Sequence, residues 1–392
     1  MNPTGIKSVN VDTTVVFENV VPLPIRLFQS QCVTYNNEIL ICGGYHNNEC
    51  YSYHRLKNEY KRICSYPINI KLVGHCVVKR VNQNNLNNVT LLSFGGFYGH
   101  TLAMKYVSVW KDEEERIEIK KTKKSNRWLP LIDKHNKPIR IGRKEDDYWG
   151  MRAVIGGSNN HLLFISYSPN NIDVYNLDTL QYINHTILPT ESNEICYHCF
   201  VSKPKTKIKR DEMLLFFAKT GLSIKYNEDD NIFQFEKLQT GMTIRSLLYY
   251  AYVYIDDTIL CFGGDGDSVM GTSNTVHKYF VNGNKWMTFK CTLPIPLWGS
   301  IGILSEDHTY VHILGGQDET GNNTFTHIKT NLKHWMNTES AIEKYLLIEE
   351  EEKREIEQIK MELEGTKQGF HFRKLKVGFF FKKKQNSFFT CL

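Results

Sequence analysis

An aromatic pair spaced seven residues apart recurs along this chain as Tyr53 and Tyr60, Tyr175 and Tyr182, Tyr226 and Phe233, and Tyr279 and Trp286, with Ile328 and Trp335 as a half-aliphatic fifth copy. Upstream, Gly43-Gly44, Gly95-Gly96, Gly263-Gly264 and Gly315-Gly316 each close an apolar run. Self-similarity with a period near fifty residues is the mark of a propeller or solenoid, in which no repeat buries its own core alone. The pattern therefore constrains shape more tightly than task.

Aligned on the glycines and aromatics, six repeats emerge, with second strands at residues 39–42, 91–94, 162–165, 214–217, 259–262 and 311–314. Each is a short apolar run without polar alternation, which suits a strand buried on both faces. First strands precede them at residues 31–34, 75–78, 151–154, 197–201, 250–254 and 300–304. The third strand carries the first aromatic of the pair and the fourth begins at the second, with Asn282-Gly283 a strong hairpin signal between them in one repeat. Backbone ordering costs about 1–2 kcal/mol per residue, so a lone four-stranded blade is not expected to stand. The last repeat runs out after Trp335 with no fourth strand, whereas residues 14–20 belong to no repeat of their own. Residues 14–20 are expected to complete the last blade and so remove an exposed sheet edge.

The order of apolar strand, diglycine, spaced Tyr and Trp, with Leu-Pro-rich linkers at residues 23–27 and 293–297, resembles kelch-repeat proteins over residues 14–336. Repeats three and four lack the diglycine and carry Ser166-Tyr167 and Ala218-Lys219 there, so in them the likeness rests on aromatic spacing. The resemblance implies an all-β, six-bladed β-propeller of four-stranded blades. It divides the chain into an N-terminal extension (1–13), the propeller (14–338), a charged C-terminal helix (339–365) and a disordered basic aromatic tail (366–392). In the helix, Ser340 and Glu343 form a capping box and Gly365 is the expected terminator. Glu349–Lys353 and Glu350–Arg354 are favourable pairs, and Ile342, Leu346, Ile356, Ile359 and Leu363 make an interrupted apolar seam.

Catalytic and metal constellations fail on spacing. Cys196 and Cys199 lie in a predicted strand and would face opposite ways, as two buried thiols. Asp265-Gly-Asp267 opens like a calcium loop but has Val269 and Met270 where a ligand and the turn glycine belong. No phosphate loop or nucleophile elbow occurs, so no cofactor is expected. Ten scattered cysteines and a start without a signal-peptide run point to the cytoplasm. The net charge of +6 does not by itself call for nucleic acid. The tail's Lys and Phe mixture suits acidic membranes, but reads first as a disordered extension.

Function is then expected in the loops leaving the second strands, with candidate partner-binding residues Tyr45, His46, Asn47, Phe97, Tyr98, His100, Asp265, Asp267, Gln317 and Asp318. Kelch resemblance implies a non-catalytic scaffold that binds a protein segment. Its alternatives are an actin or cytoskeletal cross-linker using the helix, or a galactose-oxidase-like enzyme. A ubiquitin-ligase adaptor would need a further oligomerisation domain.

Overall fold

A computed structural model describes residues 16–82, 85–111, 125–190, 194–204, 209–266, 271–336 and 341–367. Twenty-four strands make six four-stranded antiparallel sheets arranged as a β-propeller. Strand β1 (Phe17–Asn19) stands apart in sequence from its sheet. Blade 1 holds β2 (Cys32–Tyr35), β3 (Glu38–Gly44), β4 (Asn47–His54) and β5 (Glu59–Ser65). Blade 2 holds β6 (His75–Asn82), β7 (Asn85–Gly95), β8 (His100–Tyr106) and the two-residue β9 (Leu129–Pro130). Blade 3 holds β10 (Asp147–Gly156), β11 (Leu162–Ser168), β12 (Asn171–Asn176) and β13 (Gln181–Ile187). Blade 4 holds β14 (Cys199–Ser202), β15 (Arg210–Phe217), β16 (Thr220–Asn227) and β17 (Ile232–Leu238). Blade 5 holds β18 (Ala251–Ile255), β19 (Thr258–Asp265), β20 (Thr272–Phe280) and β21 (Lys285–Thr288). Blade 6 holds β22 (Ile301–Leu304), β23 (Tyr310–Leu314) and β24 (His327–Asn331), with β1 as its fourth strand.

The apolar second strands are buried along most of their length, and every residue of β3 is buried. Their side chains build six hydrophobic clusters, and each cluster is shared between neighbouring blades. Leu40 and Cys50 of blade 1 pack with Leu91 and Met104 of blade 2, for example. The sixth cluster joins Leu314 of blade 6 to Ile39 and Tyr53 of blade 1 and closes the circle. Because every blade contributes to two cores, the stable unit is the ring.

Closure uses the segment expected for it. Phe17, Glu18 and Asn19 pair antiparallel with Thr330, Lys329 and Ile328. Thr330 Oγ1 donates to Val16 O at 2.7 Å, and Lys329 Nζ meets Glu18 at 3.1 Å. Residues 14 and 15 of the anticipated strand lie outside the described residues. Where the last repeat would run on into a fourth strand of its own, the chain turns instead into a short helix, α1 (Leu332–Met336), and β1 supplies the strand. That turn buries Trp335 completely against Phe17, Phe262 and Phe289, with ring centroids 5.6, 5.8 and 4.8 Å away.

The seven-residue aromatic spacing has a direct cause. Tyr53 and Tyr60, Tyr226 and Phe233, and Tyr279 and Trp286 are directly opposite across the third and fourth strands, with centroids 5.0, 4.9 and 5.0 Å apart. Between them sits an Asn in the left-handed region: Asn58, Asn231 and Asn284, at φ 53°, 55° and 47°. Its Oδ1 accepts the tyrosine hydroxyl at 2.9, 2.6 and 3.0 Å. The same oxygen of Asn58 and Asn284 also accepts a backbone N–H from the preceding blade, at Val21 and Gln239. The turn is thus a clasp between blades. Blade 3 departs from it, with Leu180 at φ 58° in the equivalent place and the buried Tyr175 hydroxyl left without a partner. Asn tolerates the left-handed region better than Leu by about 1 kcal/mol and would supply the absent acceptor. Leu180→Asn is therefore expected to stabilise the protein by about 1 kcal/mol, read as a raised urea midpoint; a lowered midpoint would contradict the clasp.

The diglycines are places where backbone meets backbone. A Cβ on Gly263 would lie 2.3 Å from Leu297 O of the next linker, and one on Gly264 would lie 3.0 Å from Leu248 O of its own. Blade 3 fills the corresponding place with Tyr167, stacked on Tyr148 at 4.4 Å. Arg143 joins that stack to the buried Asp173 carboxylate at 2.9 Å.

Helix α2 (Ala341–Lys367) continues past Gly365, which is not its terminator. Ser340 of the expected capping box lies outside the described residues, as do residues 368–392 of the tail. The helix lies against blade 5. Glu350 is buried and accepts the Met242 N–H at 2.5 Å, while Arg245 pairs with Glu357. Glu349–Lys353 forms at 3.0 Å as expected. Arg354 instead pairs with Glu351 and reaches the Gln239 side chain, because Glu350 is committed to the propeller. The anticipated seam also divides: Leu346 is buried, Ile356, Ile359 and Leu363 are exposed with Ile348, the exposed Tyr345 ring meets Lys290 Nζ at 5.7 Å, and the side chain of Ile342 lies outside the described residues.

Candidate interaction surface

The turns joining second to third strands and the linkers joining one blade to the next meet on one face of the ring. Tyr45 N donates to Phe28 O at 2.7 Å, His46 N to Leu72 O at 2.9 Å, and Phe97 N to Val73 O at 2.9 Å. Asp265 and Gln317 make reciprocal backbone bonds with Leu248 and Trp298.

At the centre of this face, each chain enters its first strand through a left-handed residue: Gln29, Gly74, Gly150, Tyr197, Tyr249 and Gly299, at φ 53°, 67°, 66°, 50°, 56° and 62°. Backbone bonds run between them from blade to blade, with Gln29 N to Gly299 O at 2.9 Å, Gly299 N to Tyr249 O at 2.8 Å, Tyr197 N to Gly150 O at 2.6 Å and Gly150 N to Gly74 O at 3.0 Å. Tyr197, on blade 4, crosses the axis and donates its hydroxyl to Gln29 Oε1 of blade 1 at 2.6 Å. Around it, Trp149, Tyr197, Tyr249, Trp298, Phe28 and Tyr45 form a continuous chain of ring contacts with centroids 4.5 to 5.7 Å apart. Arg152 lies over the Tyr197 ring at 5.4 Å. Burial pushes the Tyr197 hydroxyl far above its ordinary pKa, so it stays a neutral donor. Sequence reading missed this rosette because Gln, Gly and Tyr share no side-chain property. The available signal was their common place at the entry to a first strand, before it in five blades and early within β10 in blade 3.

The expected partner-binding residues separate into groups. Tyr45 and His46 occupy the exposed tip between β3 and β4, and Phe97 and Tyr98 the exposed tip between β7 and β8. These two tips flank the linker 66–74, because they bond to its successive carbonyls at Leu72 and Val73. The strip is apolar and open: Phe97 is 67% exposed, Tyr98 50% and Tyr45 39%, and Ile68 of the linker is 99% exposed. Lys71 Nζ stands 5.4 Å from the Tyr98 ring centroid. Arg140 Nη2 lies at the same tip, 2.7 Å from where a Cβ on Gly99 would lie.

The other candidates are placed differently. His100 is not a loop residue: it opens β8, is buried, and shares a 2.7 Å hydrogen bond with Ser93 Oγ. Asn47 opens β4, and its Oδ1 accepts the Glu49 N–H. Gln317 bonds Asn323 at 2.8 Å, and Asp318 is spent on its own turn, accepting from Thr320 and Asn322. Asp265 ends β19 on the blade 5 side, with its carboxyl pKa raised by burial. Asp267 lies outside the described residues.

Cys196 also corrects an expectation: it sits in the linker before β14 and is partly accessible, whereas Cys199 is buried within the strand. Among the described residues no group of three His, Cys, Asp or Glu side chains is placed to hold a metal ion. No helix among them is long and apolar enough to cross a membrane.

No family model matches the chain. No curated protein matches it either. Solved structures do, including one described as the structure of YjhT, with a TM-score of 0.53 at 11% identity over 79% of this chain and 95% of that one. A likeness at that identity speaks for the fold, and the β-propeller is what the two chains share.

Proposed function

We propose that this chain is a non-catalytic, kelch-type interaction scaffold of the cytoplasm that binds a protein partner through the face bearing Tyr45, Phe97 and Tyr98. The observation that carries this reading is the strip itself: large aromatic side chains stand exposed on tips whose backbones are fixed by hydrogen bonds to the ring. Rigid exposed aromatics bind at low entropic cost, which makes them typical anchors of protein interfaces. The repeat pattern supports the kelch assignment, and the unpaired thiols of the nine described cysteines suit a reducing compartment. An axial catalytic centre is disfavoured because Tyr197 and its ring neighbours fill the mouth of the axis on this face.

Phe97→Ala with Tyr98→Ala is expected to weaken partner capture about 30-fold or more, since an anchor aromatic is worth about 2 kcal/mol. Leu56→Ala, in the exposed turn of the β4–β5 hairpin, serves as the control and is expected to leave capture unchanged. Capture that survives the double change but fails in the control would overturn this choice of face.

A second reading, cross-linking through α2, is favoured by one feature. Ile348, Ile356, Ile359 and Leu363 recur at helical spacing as exposed apolar side chains. Monomers in solution both for the full chain and for a chain ending at residue 340 would remove it.

A further inference from the structure

The strip on blades 1 and 2 carries a charge pattern that narrows the kind of segment it suits. Lys71 and Arg140 are exposed, and neither forms an ion pair with a described residue. Residues 45–46, 66–74 and 95–100 contain no Asp or Glu. The linker that follows, residues 131–146, carries three carboxylates: Asp133 accepts the backbone N–H groups of His135 and Lys137 at 2.8 and 2.9 Å, Asp146 pairs with Arg143 at 3.2 Å, and Glu145 is exposed next to Lys144 in the chain. Two cations without an ion pair to a described residue therefore stand at the Phe97–Tyr98 tip of an exposed apolar strip that also carries Tyr45 and Ile68. Elsewhere on the same face the sign reverses, with Asp265 on blade 5 and Asp318 and Glu319 on blade 6.

We infer that this strip takes an acidic peptide segment with a single large apolar anchor, the anchor lying against Tyr45, Ile68 and Tyr98 and its flanking carboxylates reaching Lys71 and Arg140. The inference rests on the reading of this face as a docking surface and adds the partner's chemistry. Desolvating Lys71 beside Tyr98 strengthens its attraction for a carboxylate over what two exposed charges have in water. Like charges at blades 5 and 6 repel the same segment, so electrostatics directs it to one sector of the ring. Single-stranded RNA also uses aromatics and cations, but it needs a run of basic residues to follow its phosphates, and residues 45–46, 66–74 and 95–100 contain one Lys and no Arg.

The test is selection of a random 12-residue peptide library on the immobilised full-length chain, followed by binding of the enriched peptides in solution. Enriched sequences are expected to be rich in Asp and Glu around one Phe, Leu, Ile or Trp. Lys71→Glu and Arg140→Glu should each weaken such a peptide about tenfold, and Phe97→Ala should weaken it comparably. Both charge variants change exposed side chains, and an unaltered circular dichroism melt confirms their fold. Peptides without acidic bias that still depend on Phe97 would overturn the inference and leave the docking surface standing. If no enriched peptide depends on this strip, both fall. Displacement of the acidic peptide by a twelve-nucleotide uridine RNA at equal concentration would reassign the strip to nucleic acid and overturn the inference.

Discussion

A chain lacking residues 1–19 is expected to unfold at much lower urea than the full chain and to self-associate. Its loss is more than one strand of hydrogen bonds. Phe17 is buried in the cluster shared by blades 5 and 6, where it meets Trp335, Val311 and Ile328. Removing a buried Phe side chain costs about 3–5 kcal/mol through lost transfer energy and the cavity left behind. The backbone ladder to β24 adds about 1 kcal/mol per bond, and β24 would then present unpaired N–H and C=O groups along a free edge. Such an edge templates pairing with another chain. The single change Phe17→Ala isolates packing from edge exposure and is expected to cost about 3 kcal/mol without self-association. Glu18→Ala, at an exposed ion pair, should cost under about 1 kcal/mol. Equal stability of the truncated and full chains would mean that the ring is closed by something other than β1.

Acid is expected to unfold the protein cooperatively near pH 5, well above the range where carboxylates protonate. Among the described residues six histidines are buried as neutral rings. Burial lowers the pKa of His75 to about 4 and those of His100, His277 and His312 to about 3, and it pulls His198 and His327 well below the ordinary value. Hydrogen bonds hold several of these rings in place. His75 Nε2 bonds Cys42 O at 3.0 Å, His198 Nε2 meets Ser166 Oγ at 2.6 Å, and Tyr60, His327 and His312 form a chain of 2.6 and 2.9 Å bonds across the seam between blades 6 and 1. The sign follows from proton counting: each ring is neutral when folded and protonates near pH 6.5 when unfolded, so the unfolded chain gains protons as pH falls below 6.5. Each such group removes about 1.4 kcal/mol of stability per pH unit across the window between the unfolded and folded pKa values, and six together remove about 8. A stability of about 10 kcal/mol would then be exhausted between one and two units below pH 6.5. Urea unfolding at pH 7, 6 and 5 checks this, and a flat free energy over that range would refute neutral burial of these rings.

The positions legible in the sequence were those at which one physical requirement repeats. Tyr53, Tyr226 and Tyr279 recur because each faces its cross-strand partner over a turn of fixed length, and Gly44, Gly96, Gly264 and Gly316 recur because a carbonyl approaches each of them. The closing strand was legible as an imbalance, a fourth strand missing at one end and an orphan segment at the other. Features resting on three-dimensional approach were not. His100 follows an exposed tip in sequence, yet the first residue of β8 turns its ring inward to Ser93. Tyr197 and Gln29 lie far apart along the chain and meet only because blades 4 and 1 face each other across the axis. Glu350 looked like a helix-surface partner for Arg354, and docking of α2 on blade 5 gave it the Met242 N–H instead. Lys71 carried no signal by itself; its place beside Tyr98 depends on a linker threaded between two tips.

Closure of the ring by β1 underlies both the stability of the blades and the rigidity of the face they support. Amide hydrogen exchange at Glu18 and Val20, the alternate N–H groups of this segment that face β24, tests it most directly. Protection comparable with that of β23, falling away only on global unfolding, is what a fourth strand in blade 6 predicts. Exchange of these amides at the rate of an unstructured peptide, while β23 stays protected, would contradict it.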